Sequence, residues 1–238
     1  MTTRHVATRH VALIHTVPAL AASFDARILA EFATKFAGAG APRIDHIVDP
    51  WLLAEATRHG VTDEIADRVA EHAAYLAREG ARLVMVTCSS IGGTAAEASE
   101  RAGIPVLRVD APMARQAVEL AAGGTIAVLA TLTSTLKPTA ELIRSSIRNG
   151  QTASIETVLV EGAAAARAGG DDEGHDQLIR AAVKRTALEL ATDATVIVLA
   201  QASMAPALEG VDLGGIRVLT SPPSGVAAFV EAIGALGD

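Results

Sequence analysis

Cysteine occurs once in this chain, at Cys88, and that scarcity excludes an internal disulfide and any cysteine-cluster metal site. Aromatic residues make up only 3%, so a core has to be built from Ala, Val, Leu and Ile. No apolar run reaches the roughly 18 residues of a membrane span, because charged or polar residues interrupt each one. Basic residues are neither in excess nor clustered: 20 Lys and Arg stand against 27 Asp and Glu, for a net charge of −7. That balance argues against nucleic acid and anionic membranes as partners. The stretch Met1 to Ala12 carries Arg and His but lacks the apolar segment and cleavage signature of a signal peptide. Gly92–Gly93 is not a G-x-G-x-x-G fingerprint and no P-loop occurs, so nucleotide binding has no motif behind it. These absences together predict a soluble, cytoplasmic protein with no nucleic-acid or membrane partner.

What is present is an ample apolar complement, 50% of 238 residues, enough for two domains of roughly 110 to 120 residues. A weak internal repeat spans most of the chain, with offsets of 111 to 115 residues. Val11–Ala12–Leu13–Ile14 is answered by Ile126–Ala127–Val128–Leu129, and Ile44 to Val48 by Ile155 to Leu159. Leu83–Val84–Met85–Val86 is answered by Val196–Ile197–Val198–Leu199, and Gly103 to Leu107 by Gly215 to Leu219. Four matches in the same order predict one α/β unit used twice. The runs are short, rich in β-branched residues and nearly uninterrupted, the pattern of strands buried in a parallel sheet.

Helical periodicity fills the gaps. Phe24, Ile28, Phe32 and Phe36 recur every four residues, and Ile65, Val69, Ala73 and Leu76 line a helix opened by Thr62–Asp63–Glu64. Ile179, Val183, Thr186 and Leu190 follow the acidic start Asp171–Asp172–Glu173. Pro138 suits the first turn of a helix carrying Leu142, Ile143 and Ile147. Ala37 to Pro42, Pro50 to His59 and Gly162 to Gly174 read as loops. Tyr75 reads as a packing residue, while Trp51 can either pack or line a pocket. The tandem repeat Thr3–Arg4–His5–Val6–Ala7, Thr8–Arg9–His10–Val11–Ala12 reads as a lead-in to the first strand. It is a poor metal site, because histidines five apart share one side of neither a strand nor a helix.

Ligands of open parallel sheets bind beyond the carboxyl ends of the strands. The residues just past the runs are His15, Thr16, Thr131, Thr133 and Ser134, then Thr87–Cys88–Ser89–Ser90 and Gln201–Ala202–Ser203, then Asp110 and Thr220–Ser221. The set is rich in hydroxyls and has no lysine, arginine or carboxylate pair. Such a neutral, donor-rich site suits a small carboxylate held by hydroxyls and main-chain N–H groups. Cys88 is either a small buried hydrophobe or, at a helix start, a thiol of lowered pKa able to act as base or nucleophile.

The duplicated unit, with V-M-V-T-C-S-S-I-G (Val84 to Gly92) and V-I-V-L-A-Q-A-S-M-A (Val196 to Ala205), resembles the aspartate/glutamate/hydantoin racemase superfamily. Glutamate racemase, maleate isomerase and arylmalonate decarboxylase are members. The resemblance implies an α/β fold of two pseudo-symmetric domains, each a short parallel sheet flanked by helices, with the active site between them. It implies that the last segment returns to the first domain, giving residues 1–102 plus 216–238 for one domain and 103–215 for the other. It also implies no metal or organic cofactor and a small carboxylate substrate, and an Ala-rich surface permits a homo-oligomer. Racemases of this family carry a cysteine after the third strand of each half, one removing the α-proton and the other returning it on the opposite face. Cys88 matches the first. Ser89 and Ser90 match the donors that follow it, and Thr16, Thr131 and Thr133 match carboxylate-binding loop positions. Gln201 stands where the second cysteine is expected, with Ser203 just after it, and an amide cannot exchange a proton at a useful pKa. The function expected is therefore a cofactor-independent, racemase-like isomerase acting next to a carboxylate or carbonyl through the single thiol of Cys88. The alternatives are a one-thiol decarboxylase, a second group such as His15 or Ser203 in place of the missing thiol, or a noncatalytic carboxylate-binding protein.

Overall fold

The computed structural model describes residues 9–190 and 195–236, so most of the N-terminal tandem repeat lies outside the described residues. Of its histidines, His10 opens the first strand and its Nε2 pairs with Asp45 Oδ2 at 2.8 Å.

The first half of the chain runs β1 (His10–His15), α1 (Ala19–Lys35), β2 (Arg43–Val48), α2 (Pro50–His59), α3 (Asp63–Arg78), β3 (Val84–Val86), a 3-10 turn (Gly92–Thr94), α4 (Ala95–Ala102) and β4 (Val106–Arg108). The second half runs α5 (Ala111–Ala121), β5 (Thr125–Ala130), α6 (Thr133–Ser146), β6 (Ser154–Leu159), α7 (Ala163–Ala168), α8 (Asp172–Glu189), β7 (Val196–Leu199), a 3-10 segment (Ala202–Leu208), β8 (Arg217–Thr220) and α9 (Ser221–Ala235). Each half forms one four-stranded parallel sheet, in the orders β2-β1-β3-β4 and β6-β5-β7-β8. The repeat seen in the sequence is thus a repeat of topology, and the two-domain α/β class is the one observed.

The central strands β1, β3 and β7 are buried at every position, as their unbroken apolar runs require. The edge strands β2 and β6 are half-exposed instead. In α1, Phe24, Ile28 and Phe32 are buried on one stripe, and Phe36 caps the helix through its N–H to Phe32 O. Helix α3 starts as its capping sequence dictates: the Thr62 hydroxyl accepts from Ile65 N–H, and Asp63 and Glu64 occupy the first turn. The carboxylate of Asp171 likewise accepts from Gly174 N–H to start α8.

The chain divides into two compact units at other points than expected. Of the described residues, the first unit holds 9–55, 61–109 and 225–236, and the second 56–60 and 110–224. The expected boundaries at 102/103 and 215/216 would have cut the fourth strand from its sheet. The ladders β3–β4 and β7–β8 keep it there, and each crossing falls after that strand. Two loop expectations and one helix start also fail. Pro50 to His59 is the helix α2, and Trp51 on it packs its ring under Arg68, 4.8 Å from the guanidinium carbon. Within Gly162 to Gly174, five alanines and one arginine among six residues favour α7, and Gly162, at φ 78°, supplies the left-handed turn before it. Helix α6 begins at Thr133, not beside Pro138, which lies inside it. The bond this proline forgoes would have ended on the Ser134 carbonyl in the first turn, where a helix loses least. Tyr75 is 49% exposed and does not serve the core.

The returning segment packs tightly against the first unit. A Cβ on Gly225 would stand 2.4 Å from the Val109 carbonyl oxygen. Gly225→Ala is therefore expected to destabilise the protein by about 1–3 kcal/mol, although Ala ordinarily favours a helix interior. Urea denaturation checks it, and a stabilised variant would contradict the packing described.

Candidate active site

Strand register brings the first cluster together. Strands β1 and β3 pair in parallel with Ile14 opposite Val86, so two residues further on Thr16 comes opposite Cys88. The Cys88 sulfur receives hydrogen bonds from the Thr16 hydroxyl, the Ser90 and Ile91 N–H groups and the Ser90 hydroxyl. The backbone turns at once: Ile91 N–H donates to Cys88 O at 3.3 Å and Gly92 N–H to Ser89 O at 3.3 Å. Cys88 therefore heads a turn that leads through Gly92–Thr94 into α4, and it does not open that helix itself. Its side chain is half-buried. Burial pushes the thiol above its ordinary value, opposed by the four donors, so the lowered pKa expected of a helix start is not found. The resting group is the thiol, ringed by donors suited to the thiolate. Ser89 is buried next to it, its hydroxyl oxygen without a hydrogen-bond partner.

Beneath this loop lies His15. Its Nδ1 is 2.8 Å from Thr87 Oγ1 and its Nε2 is 2.9 Å from His46 Nδ1, and the two imidazoles stack with centroids 5.2 Å apart. His46 Nε2 in turn faces Asp25 Oδ1 at 3.6 Å. Desolvation, then the charge of His46, lowers the pKa of His15 to about 4. Sealed from solvent, neutral, and occupied at both nitrogens, His15 cannot replace a missing thiol. It holds Thr87, the residue before Cys88, while its own successor Thr16 donates to the sulfur.

The second unit repeats the geometry with other chemistry. Strands β5 and β7 pair with Leu129 opposite Leu199, which brings Thr131 opposite Gln201. Gln201 Oε1 accepts from Thr131 N–H at 2.6 Å and from Thr131 Oγ1 at 3.0 Å. Thr133 is exposed at the first position of α6. Ser203 lies in the 3-10 segment, its carbonyl accepting from Arg167 Nη1 at 2.9 Å.

The expected residues thus gather as Thr16, Cys88, Ser89 and Ser90 in one unit and Thr131 and Gln201 in the other, while Thr133 and Ser203 show no hydrogen bond to either cluster. Two residues escape a reading of strand ends. His46 sits within β2, and its only signal was a histidine in an otherwise apolar-alternating run. Arg108 ends β4, and its guanidinium atoms lie 3.0–3.1 Å from where a Gly92 Cβ would be. The expected absence of arginine at the strand ends is therefore wrong: Gly92 is needed there so that Arg108 can lie along the turn after Cys88. Among the described residues no group of three or more His, Cys, Asp or Glu could hold a metal ion, and no helix is long and apolar enough to cross a membrane.

A family model, Asp/Glu/Hydantoin racemase, matches residues 27–229. Among solved structures, the chain is similar to Picrophilus torridus aspartate racemase at 15% identity, TM-score 0.66, over 94% of each chain. It is similar to Aquifex pyrophilus glutamate racemase at 16% identity and TM-score 0.62, covering 96% of this chain and 84% of that one. A glycine-to-cysteine mutant of arylmalonate decarboxylase aligns at 16% identity and TM-score 0.60, covering 96% and 95%. These structural likenesses show a shared fold. No curated protein sequence matches the chain.

Two outcomes follow from the first unit's electrostatics. Alkylation of the one cysteine by iodoacetamide should accelerate with a midpoint above 9.0, the thiol's ordinary value, and Thr16→Val, which removes a donor, should move it higher still. A midpoint below that value would contradict the burial effect. For His15, the unfolded chain takes up a proton near 6.5 that the folded chain refuses until about 4. This residue therefore lowers stability as pH falls through that window and does nothing above it, by up to about 3 kcal/mol in all. Urea midpoints at pH 7 and pH 5 should diverge less in His15→Gln, and the His15 ring resonances should stay fixed down to pH 5.

Proposed function

The chain belongs to the Asp/Glu/Hydantoin racemase family, and we propose that within it this protein is a cofactor-independent, racemase-like isomerase of the cytoplasm. Its substrate is a small molecule reacting at the carbon next to a carboxylate or carbonyl, and Cys88 is the single thiol acid/base. The observation that carries the reading is the convergence of four donors on the Cys88 sulfur. A merely buried cysteine has no use for them, whereas a sulfur that alternates between thiol and thiolate needs them in its charged form. In the proposed step the thiolate removes the α-proton, the carbon's electron pair delocalises into the adjacent carboxylate or carbonyl, and the new thiol delivers a proton to a conjugated neighbour, giving the isomer; delivery back to the same carbon gives only exchange with solvent. Hydrogen-bond donors must carry the charge that develops. Ser89, whose hydroxyl oxygen has no partner among the described residues, supplies one in the first unit beside the Thr16 and Ser90 donors on the sulfur, with Thr133, Gln201 and Ser203 as further substrate-binding residues and Thr131 supporting Gln201.

A second reading is favoured by burial, which holds Cys88 protonated at rest. A one-thiol decarboxylase starts from that state. The bond to a carboxylate breaks, carbon dioxide leaves, the electron pair stays on the α-carbon as an enolate, and the Cys88 S–H protonates it. The resulting thiolate then regains its proton from water.

Both readings predict thiol-dependent incorporation of solvent deuterium. NMR on a panel of amino acids, hydantoins, malonates and maleate should reveal exchange or turnover that falls at least about a hundredfold in Cys88→Ala. Evolved carbon dioxide selects the decarboxylase. Silence across the panel with measurable carboxylate binding would select the noncatalytic binding protein instead.

A further inference from the structure

We infer that Gln201 is a fixed, one-way hydrogen-bond donor for an anionic oxygen of the substrate, and that Thr131 is the positioning residue that fixes it. The inference rests on the proposed carboxylate chemistry and specifies what the second unit contributes to it. A main-chain N–H can only donate, so the Gln201 atom 2.6 Å from Thr131 N is the amide oxygen. The threonine hydroxyl donates to the same oxygen at 3.0 Å. Both donors of Thr131 are thereby spent, which changes its expected part from substrate ligand to support. With the oxygen tied down, the NH2 group is turned away from Thr131, and it has no partner among the described residues. The side chain is half-buried, not sealed, and it does not cap the 3-10 segment that it precedes. An accessible, oriented amide NH2 with its oxygen already satisfied offers donors alone.

The duplication gives this arrangement its meaning. Thr16 with Cys88 and Thr131 with Gln201 stand at the same step past the paired central strands of their sheets. In each, the threonine donates to the residue opposite. One partner can take and give a proton; the other cannot at any pH the protein survives. The second position therefore offers donors alone to an anionic oxygen and takes no part in proton transfer.

Gln201→Glu separates this role from a structural tie. A carboxylate accepts both Thr131 bonds as the amide oxygen does, so the loop stays held, but the donors are replaced by a negative oxygen. The probe is malonate, followed by 1H–15N spectra of the side-chain amides. Saturation should shift the Gln201 NH2 pair, identified by its disappearance in Gln201→Met. Relative to native protein at the same pH, Gln201→Glu should bind malonate at least about tenfold more weakly at pH 7. Thr131→Val should weaken binding and Thr131→Ser restore it. Gln201 signals unmoved at saturation, a glutamate variant that binds like the native protein at pH 7, or no malonate-induced shift of any resonance would each overturn the inference. Cys88-dependent deuterium exchange that persists alongside such a result would leave the proposed function standing, and its absence would remove both.

Discussion

The in-register parallel pairing of β1 with β3 is the constraint on which the candidate site depends. Parallel strands end at the same edge of a sheet, so residues following two neighbours are delivered side by side with no further instruction. Ile14 opposite Val86 sets the ladder, and two steps later it has placed the Thr16 hydroxyl against the Cys88 sulfur. The register is not negotiable, because β1 and β3 are buried throughout and a slip of one residue would turn every side chain to the other face. The pairing of β5 with β7 imposes the same condition on Thr131 and Gln201. A duplicated ladder has thus produced a duplicated threonine pair, whose partner residue alone differs.

Charge enters this design sparingly. The cluster around the sulfur consists of neutral donors, two hydroxyls and two main-chain N–H groups. Neutral donors stabilise a thiolate without forcing it, so burial prevails and the thiol rests protonated. A neighbouring cation would have ionised it permanently. The imidazole most closely linked to the loop is kept out of the chemistry in the same way. Desolvation and His46 lower the pKa of His15 to about 4, so it is neutral at pH 7, and Phe24 of α1 closes one side of its ring at 5.8 Å. His15 acts through position, gripping Thr87 while the residue after it reaches the sulfur.

Support for the first unit comes from opposite ends of the chain. Asp49, following β2, accepts from His72 Nε2 at 2.7 Å and from Arg68, tying α3 to the end of that strand. Burial alone would raise its pKa, yet those two hydrogen bonds hold it below the ordinary carboxylate range. The C-terminal helix meets β4 through Gly225 and meets α1 where Lys35 pairs with Glu231 and Phe36 fills the space that a Gly234 side chain would take. Glycines at these two contacts let backbone and ring approach closely, so the segment farthest along the chain completes the unit that the first strand began.

The sequence by itself determined the strands, their duplication and the chemistry at their ends. Short β-branched runs have one stable use in a chain with so few aromatics, and the offset between Val84–Val86 and Val196–Val198 is written in the residues. The caps at Thr62 and Asp171 were equally legible, because a helix start is a local hydrogen bond. Domain boundaries were not, since whether Val106–Arg108 stays with the first sheet is decided by a ladder to residues some twenty positions away. Nor was the state of Cys88. Its sequence position suggested an activated thiol, but a pKa is set by surrounding atoms, and only the fold showed how burial outweighs the donors. The same holds for Gln201. The sequence announced a missing cysteine, while the direction in which the amide points follows from two bonds to Thr131 that form only when β5 and β7 lie side by side.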